Sequence, residues 1–165
     1  MTRRIITALL CTACCAAHAQ SQTPRAVPLI VTLGAESVRL PAGQRMGLMG
    51  ASLLFSADDD WWFGPAVYGA AGGSRGGLFV GGLQVLKRWP LGERWSLHTS
   101  VYAGGGGGAS APVGGGLMWR PELALMRDMG PLAAGLTWSH VRFATGEIRS
   151  SQLGALLSWN GEFGH

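Results

Sequence analysis

The sequence predicts an all-β protein, an eight-stranded antiparallel up-and-down transmembrane β-barrel. Three observations carry that expectation. Apolar residues alternate with small or polar ones in segment after segment, the period-two signature of strands. The segments are eight, an even count, and are joined by short breaks rich in Gly, Pro and Asp. The charges also avoid the segments. No Asp, Glu, Lys or Arg occurs in 46–57, 61–74, 76–86, 95–119 or 130–139, whereas Asp58 to Asp60, Arg75, Lys87, Arg88, Glu93, Arg94, Arg127, Asp128 and Glu147 gather at the breaks. A water-soluble barrel or sandwich needs a charged outer face along every strand. A barrel in lipid needs an apolar outer face, a small or polar inner one, and its charges at the two rims. Closure also removes strand edges, whose unpaired backbone groups hydrocarbon cannot solvate.

Taken in order, residues 1–19 read as a signal peptide. Arg3 and Arg4 form its basic start, 5–17 its apolar stretch, and Ala17-His18-Ala19 its cleavage site, so the exported chain is expected to begin near Gln20. The apolar run is too short to span a bilayer as a helix. All three cysteines (Cys11, Cys14 and Cys15) fall inside this segment, which leaves the mature chain without disulfide or thiol chemistry. Residues 20–26 form a polar leader, and 27–165 the barrel domain. Removing Arg3 and Arg4 from the 13 basic residues leaves 11 against 9 acidic ones, a balance that excludes a nucleic-acid-binding role.

The first six strands are expected near 27–40, 46–57, 61–72, 76–89, 94–105 and 113–126. The last two fold about Ala144-Thr145-Gly146-Glu147. On one leg Leu132, Ala134, Leu136 and Trp138 share a face; on the other Leu153, Ala155, Leu157 and Trp159 do. A two-residue Thr145-Gly146 turn, with Gly146 at positive φ, pairs 142 with 149, 140 with 151 and 138 with 153, so the two apolar faces merge. The tryptophans fit the same scheme. Trp61, Trp62, Trp89, Trp95 and Trp159 lie at strand ends on the side of the termini. Trp119 and Trp138 lie eight or nine residues further along, roughly 20 Å at about 3.3 Å per residue and a 45° tilt, so two aromatic belts are expected.

With its A-x-A signal, eight alternating segments, cysteine-free mature chain and aromatic last strand from Leu153 to Phe163, the sequence resembles the small eight-stranded bacterial outer-membrane barrels. The resemblance implies location in the bacterial outer membrane, with outer-membrane lipid, lipopolysaccharide and the insertion machinery as partners. Such families end on a Phe that this machinery reads; here Phe163 is followed by Gly164-His165. No cofactor, metal or nucleic acid is expected.

Two groups of residues carry candidate chemistry. The inward phase collects Glu36, Gln84, Arg88, His98, Ser100, Tyr102, Arg120 and Glu122, expected as a paired polar network that stiffens the barrel. Pairing the fifth and sixth strands about Ser110 sets His98 against Glu122 and Ser100 against Arg120. The outward phase of the last hairpin places His140 opposite Ser151 and Arg142 opposite Arg149. Two like charges opposed are unfavourable unless an anion shares them, so Arg142 and Arg149 are read as a clamp for a lipopolysaccharide phosphate. The hairpin also resembles that of lipid A deacylase barrels, whose exterior His-x-Ser-Asn motif works with a Glu. His140 matches their histidine, while Arg142, Phe143 and Arg149 stand where the Ser, Asn and Glu belong. The Gly-rich run from Gly104 to Gly116 lacks the Gly-Lys-Ser/Thr of a phosphate loop and is read as backbone geometry. The expected role is therefore non-enzymatic, structural or lipopolysaccharide-interacting. The alternatives are a lipid A-modifying hydrolase using His140 and Ser151, and a soluble periplasmic barrel binding an apolar ligand.

Overall fold

The computed structural model describes residues 26–73, 77–108 and 112–163, apart from the side chain of residue 42. The signal segment, its cleavage site, nearly all of the polar leader and the Gly164-His165 tail lie outside these residues. Eight strands follow one another: β1 (Val27–Arg39), β2 (Arg45–Ser56), β3 (Trp61–Gly73), β4 (Phe79–Pro90), β5 (Trp95–Gly107), β6 (Met118–Met129), β7 (Leu132–Phe143) and β8 (Arg149–Phe163). Each pairs antiparallel with its neighbours, and β1 pairs with β8 from Val27↔Phe163 to Glu36↔Gly154, closing the barrel. The near end holds the chain ends and the turns at 57–60, 91–94 and 130–131. The far end holds the four other connections.

Alternation sorts the side chains. In β3, Trp62, Gly64, Ala66 and Tyr68 are buried while Trp61, Phe63, Pro65 and Val67 are exposed. The exposed set around the barrel is apolar, reaching 72% exposure at Leu136 and 75% at Leu153. A soluble monomer rarely leaves a contiguous apolar surface of more than a few hundred Å² uncovered, so this outer face calls for lipid.

The interior is filled in tiers. At the near end Ile30, Leu54, Trp62 and Leu86 pack together, with Ala124, Met126, Ala133 and Leu156 beside them. A polar tier follows. The far half is apolar again, with Val38, Met46, Leu48, Val80, Met118 and Phe143 buried. All four far-end connections contribute to that plug, since Leu40, Leu78, Val113 and Ile148 each turn one apolar side chain into the barrel mouth. Removing such a side chain from water contributes about 1.5–3 kcal/mol each. Tyr68, Gln84, Arg120 and Glu122 line a central void of about 10 Å³, room for at most one water. Among the described residues, these side chains fill the centre of the barrel.

The structure corrects three sequence expectations. First, β6 begins at Met118, because residues 112–117 form a turn of their own. Gly116 N–H donates to the Val113 carbonyl at 3.0 Å, and Gly114 and Gly116 take positive φ of 59° and 77°. The strand compensates by running through Arg127 and Asp128 to Met129. The β5–β6 centre consequently moves, so that Ser100 faces Glu122, His98 faces Ala124 and Tyr102 faces Arg120. Second, Trp62 points inward and is buried; the near-end tryptophans that face outward are Trp61, Trp89, Trp95 and Trp159. Third, the last turn is longer than two residues, with 144–148 between β7 and β8. Its strand pairs are as expected, with Trp138↔Leu153, His140↔Ser151 and Arg142↔Arg149. Yet Gly146 is not among the positive-φ glycines. The turn instead docks on the preceding far-end loop: Glu147 N–H donates to the Pro112 carbonyl at 3.0 Å, and Gly115 N–H to Thr145 Oγ1 at 2.7 Å. A Cβ at Gly146 would stand 2.6 Å from the Pro112 oxygen, so close approach demands the glycine.

Candidate functional site on the far-end exterior

Strand period carries the outward face of β7 from Leu136 and Trp138 to His140 and Arg142. The outward face of β8 runs the other way, from Arg149 and Ser151 to Leu153 and Ala155. The change from apolar to polar thus occurs at the same height on both strands. His140 Nδ1 and Ser151 Oγ lie 2.7 Å apart, a hydrogen bond on the outer surface. One step above it Arg142 faces Arg149, and among the described residues neither pairs with a carboxylate.

The neighbouring strands extend this cluster. Arg39 faces Arg45 across β1 and β2. The backbone N–H of Arg39 donates to Ser150 Oγ at 3.0 Å, which ties the end of β1 to β8. An exterior groove lined by Ser37, Arg39, Arg45, Trp138, Ser151 and Leu153 runs beside this first arginine pair, across to β8 and β7. Arg39 and Arg45 flank the first far-end turn much as Arg142 and Arg149 flank the last, a parallel the sequence already contains.

The interior polar residues form a separate network centred on Arg120. Arg120 donates from Nε and Nη2 to both oxygens of Glu36 at 3.0 Å, from Nη2 to Glu122 at 2.5 Å, and from Nη1 to the Tyr68 hydroxyl at 3.1 Å. Its guanidinium carbon also lies 4.8 Å from the centre of the Tyr68 ring. Ser139 donates to Glu36, Gln152 to Ser139, Gln84 to Ser100, and Ser100 to Glu122. Five expected members therefore meet: Glu36, Gln84, Ser100, Arg120 and Glu122.

Three expected members do not join them. Arg88 sits at the near end, paired with Asp128 at 3.0 Å. His98, two positions along β5 from Ser100, contacts Ser96 at 3.2 Å. Tyr102 meets Tyr68 edge-on at 4.8 Å, and its hydroxyl has no hydrogen-bond partner. Tyr68, Ser139 and Gln152 take their places. All three lie on the inward phase of their strands, so alternation alone would have found them.

As a catalytic arrangement the exterior site is incomplete. No carboxylate hydrogen-bonds to His140 among the described residues, and Phe143, at the position of the motif's Asn, turns inward and is fully buried. A nucleophilic serine needs a base that a third group orients.

No family model matches the chain, and no curated protein matches it in sequence. Solved structures match its fold, two of them as follows. The Yersinia pestis outer-membrane protein Ail, in a phospholipid bilayer nanodisc, is 10% identical, with a TM-score of 0.50 over 82% of this chain and 99% of its own. Neisserial surface protein A is 13% identical, with a TM-score of 0.50 over 81% and 96%. At such identities the likeness is one of architecture, and the chain has the fold of the small eight-stranded outer-membrane β-barrels.

Proposed function

We propose that the protein is a non-enzymatic barrel of the bacterial outer membrane that holds a lipopolysaccharide phosphate at its far rim between Arg142 and Arg149. The observation that carries this reading is the opposed arginine pair without a carboxylate, standing directly above an apolar outer face. Opposed like charges cost stability unless an anion lies between them, and a phosphate accepts from two guanidinium groups at once. The near end then faces the periplasm. There Trp61, Trp89, Trp95 and Trp159 act as an interfacial belt, with Lys87 Nζ 4.9 Å from the Trp61 ring centre and 4.0 Å from that of Trp89. Trp119 and Trp138 supply the second belt. Delivery requires export by the 1–19 signal and folding by the insertion machinery.

The test is fractionation followed by purification. The protein is expected in outer membranes, with faster gel migration unboiled than boiled, and to retain lipopolysaccharide that the variant with Arg142→Ala and Arg149→Ala loses. A wholly soluble mature protein, or unchanged retention, would count against the reading.

The 2.7 Å contact between His140 and Ser151 favours a second reading, ester hydrolysis on lipid A. Ser151 Oγ would attack the acyl carbonyl carbon while His140 takes its proton and passes it to the departing alkoxide; water would then release the fatty acid from the serine. Mass spectrometry of lipid A from cells with and without the protein decides between them. The non-enzymatic reading expects identical acylation, whereas loss of one chain that depends on Ser151 would establish the hydrolase.

A further inference from the structure

The exterior of β7, β8, β1 and β2 differs from the rest of the barrel below the arginines as well as at their height. Each row of outward residues can be read across the four strands. The topmost carries Arg142 and Arg149 on β7 and β8. Next come His140 and Ser151, level by register with Arg39 and Arg45 on β1 and β2, and below them Trp138 and Leu153 with Ser37 and Gly47. At mid-height Leu136 faces Ala155, Ala155 faces Ala35, and Ala35 faces Met49. The two central positions are thus small, between two large flanks. The result is a shallow trench whose floor includes Gly34 and Gly135, and whose lining adds Leu33, Ala134 and Leu157. Strands lie about 4.7–4.9 Å apart, so two small positions make it roughly 10 Å wide.

We infer that this four-strand face binds a single acylated glycolipid carrying more than one phosphate. One phosphate lies between Arg142 and Arg149, a second is held from Arg39 and Arg45, and an acyl chain runs down the trench over Ala35 and Ala155. The inference rests on the phosphate reading of Arg142 and Arg149 and extends it to ligand class and orientation. The vertical order of chemistry is its basis: four arginines and a hydrogen-bonding pair over the two topmost rows, then the row of Trp138, Leu153 and Ser37, then an apolar trench open to the lipid. That is the order of an anionic lipid read from head to tail. Charge complementarity selects the occupant, because a zwitterionic phospholipid brings its own cation to a rim where Arg142 and Arg149 have no carboxylate among the described residues. The groove beside Arg39 and Arg45 leads toward the trench along β1, where Ser37 and Ala35 are consecutive outward positions. The hydroxyls of Ser37 and Ser151 and the ring of His140 then stand where the ester and amide groups of the acyl chains leave the sugar head.

Titration of the refolded full-length mature barrel in neutral detergent tests the inference. The probes are bisphosphorylated lipid A, its monophosphorylated form, and inorganic pyrophosphate. The wild type is expected to bind the bisphosphorylated lipid at least tenfold more tightly than the monophosphorylated one. Arg39→Ala with Arg45→Ala should erase that preference and leave monophosphorylated binding within twofold. Ala155→Phe, which fills the trench, should weaken both lipids about tenfold without altering pyrophosphate binding. Ala155→Leu serves if the larger residue prevents refolding, which the unboiled gel migration reports. If only Arg142→Ala with Arg149→Ala weakens binding, the phosphate clamp stands and the extended site is overturned. If no variant changes lipid binding, clamp and extended site fall together.

Discussion

Arginine is used in two opposite ways in this barrel. Inside, Arg120 is surrounded by two carboxylates, a phenol and a polar shell, all supplied by the protein. Outside, Arg142 and Arg149 are exposed and face each other with no carboxylate among the described residues. The buried guanidinium has its counter-charges beside it, and the exposed pair does not. A charge with no access to external ions must bring its own partners. A charge at the lipid boundary can leave that task to the membrane, and its pairing then becomes a means of recognition.

The comparison can be broken most forcefully from within. Arg120→Met removes the only cation of the central network and leaves Glu36 and Glu122 buried without it. The expected cost is about 3–5 kcal/mol, read as a lower denaturant midpoint for the refolded barrel in detergent. Adding Glu36→Gln and Glu122→Gln should restore most of that loss, since a neutral hydrogen-bonded tier needs no counter-charge; a triple variant as unstable as the single one would show that the network acts through shape alone.

Exterior cations should respond far less. Lys87 occupies an intermediate setting, because its partners are the faces of Trp61 and Trp89 and so belong to the protein. Lys87→Met is expected to cost about 0.5–1 kcal/mol, equally in neutral and anionic micelles. The rim arginines should reverse the sign. In neutral micelles at low salt, Arg149→Gln relieves the repulsion from Arg142 and should stabilise the barrel by about 0.2–1 kcal/mol. That gain should fade toward 1 M salt, where the screening length is about 3 Å, and become a loss when phosphorylated lipid is added. Thermal melts under the three conditions check all of these signs.

Most of the fold was legible because one physical pattern, alternation with charges confined to the breaks, repeats eight times. The last hairpin was legible in detail, down to His140 against Ser151, because its turn is short and its two apolar faces can merge in only one register. The β5–β6 pairing was not, because its ten-residue connection folds on itself and glycine carries no side-chain pattern to mark where pairing resumes. Trp62 was misplaced for a different reason. Next to Trp61 it shares the composition of a belt, but adjacent strand residues point to opposite faces, and one of the two had to enter the core. Alternation also predicted which residues face inward without ranking their partners. Glu36 and Arg120 meet across the barrel, between strands that are not neighbours, and no pairwise register contains that contact.

The seam between β1 and β8 joins residues at opposite ends of the chain, from Val27 with Phe163 to Glu36 with Gly154. Closing it is the longest-range event in forming this protein, and long-range pairing comes at the highest entropic cost. The candidate lipid site straddles that seam, with Ser37 and Arg39 on one side and Arg149, Ser151 and Ala155 on the other. Before closure its halves belong to two free edges, and no pocket exists. A lipid bound at the proposed site would favour the sealed barrel by mass action and so act as a clasp on the pairing of the last strand with the first.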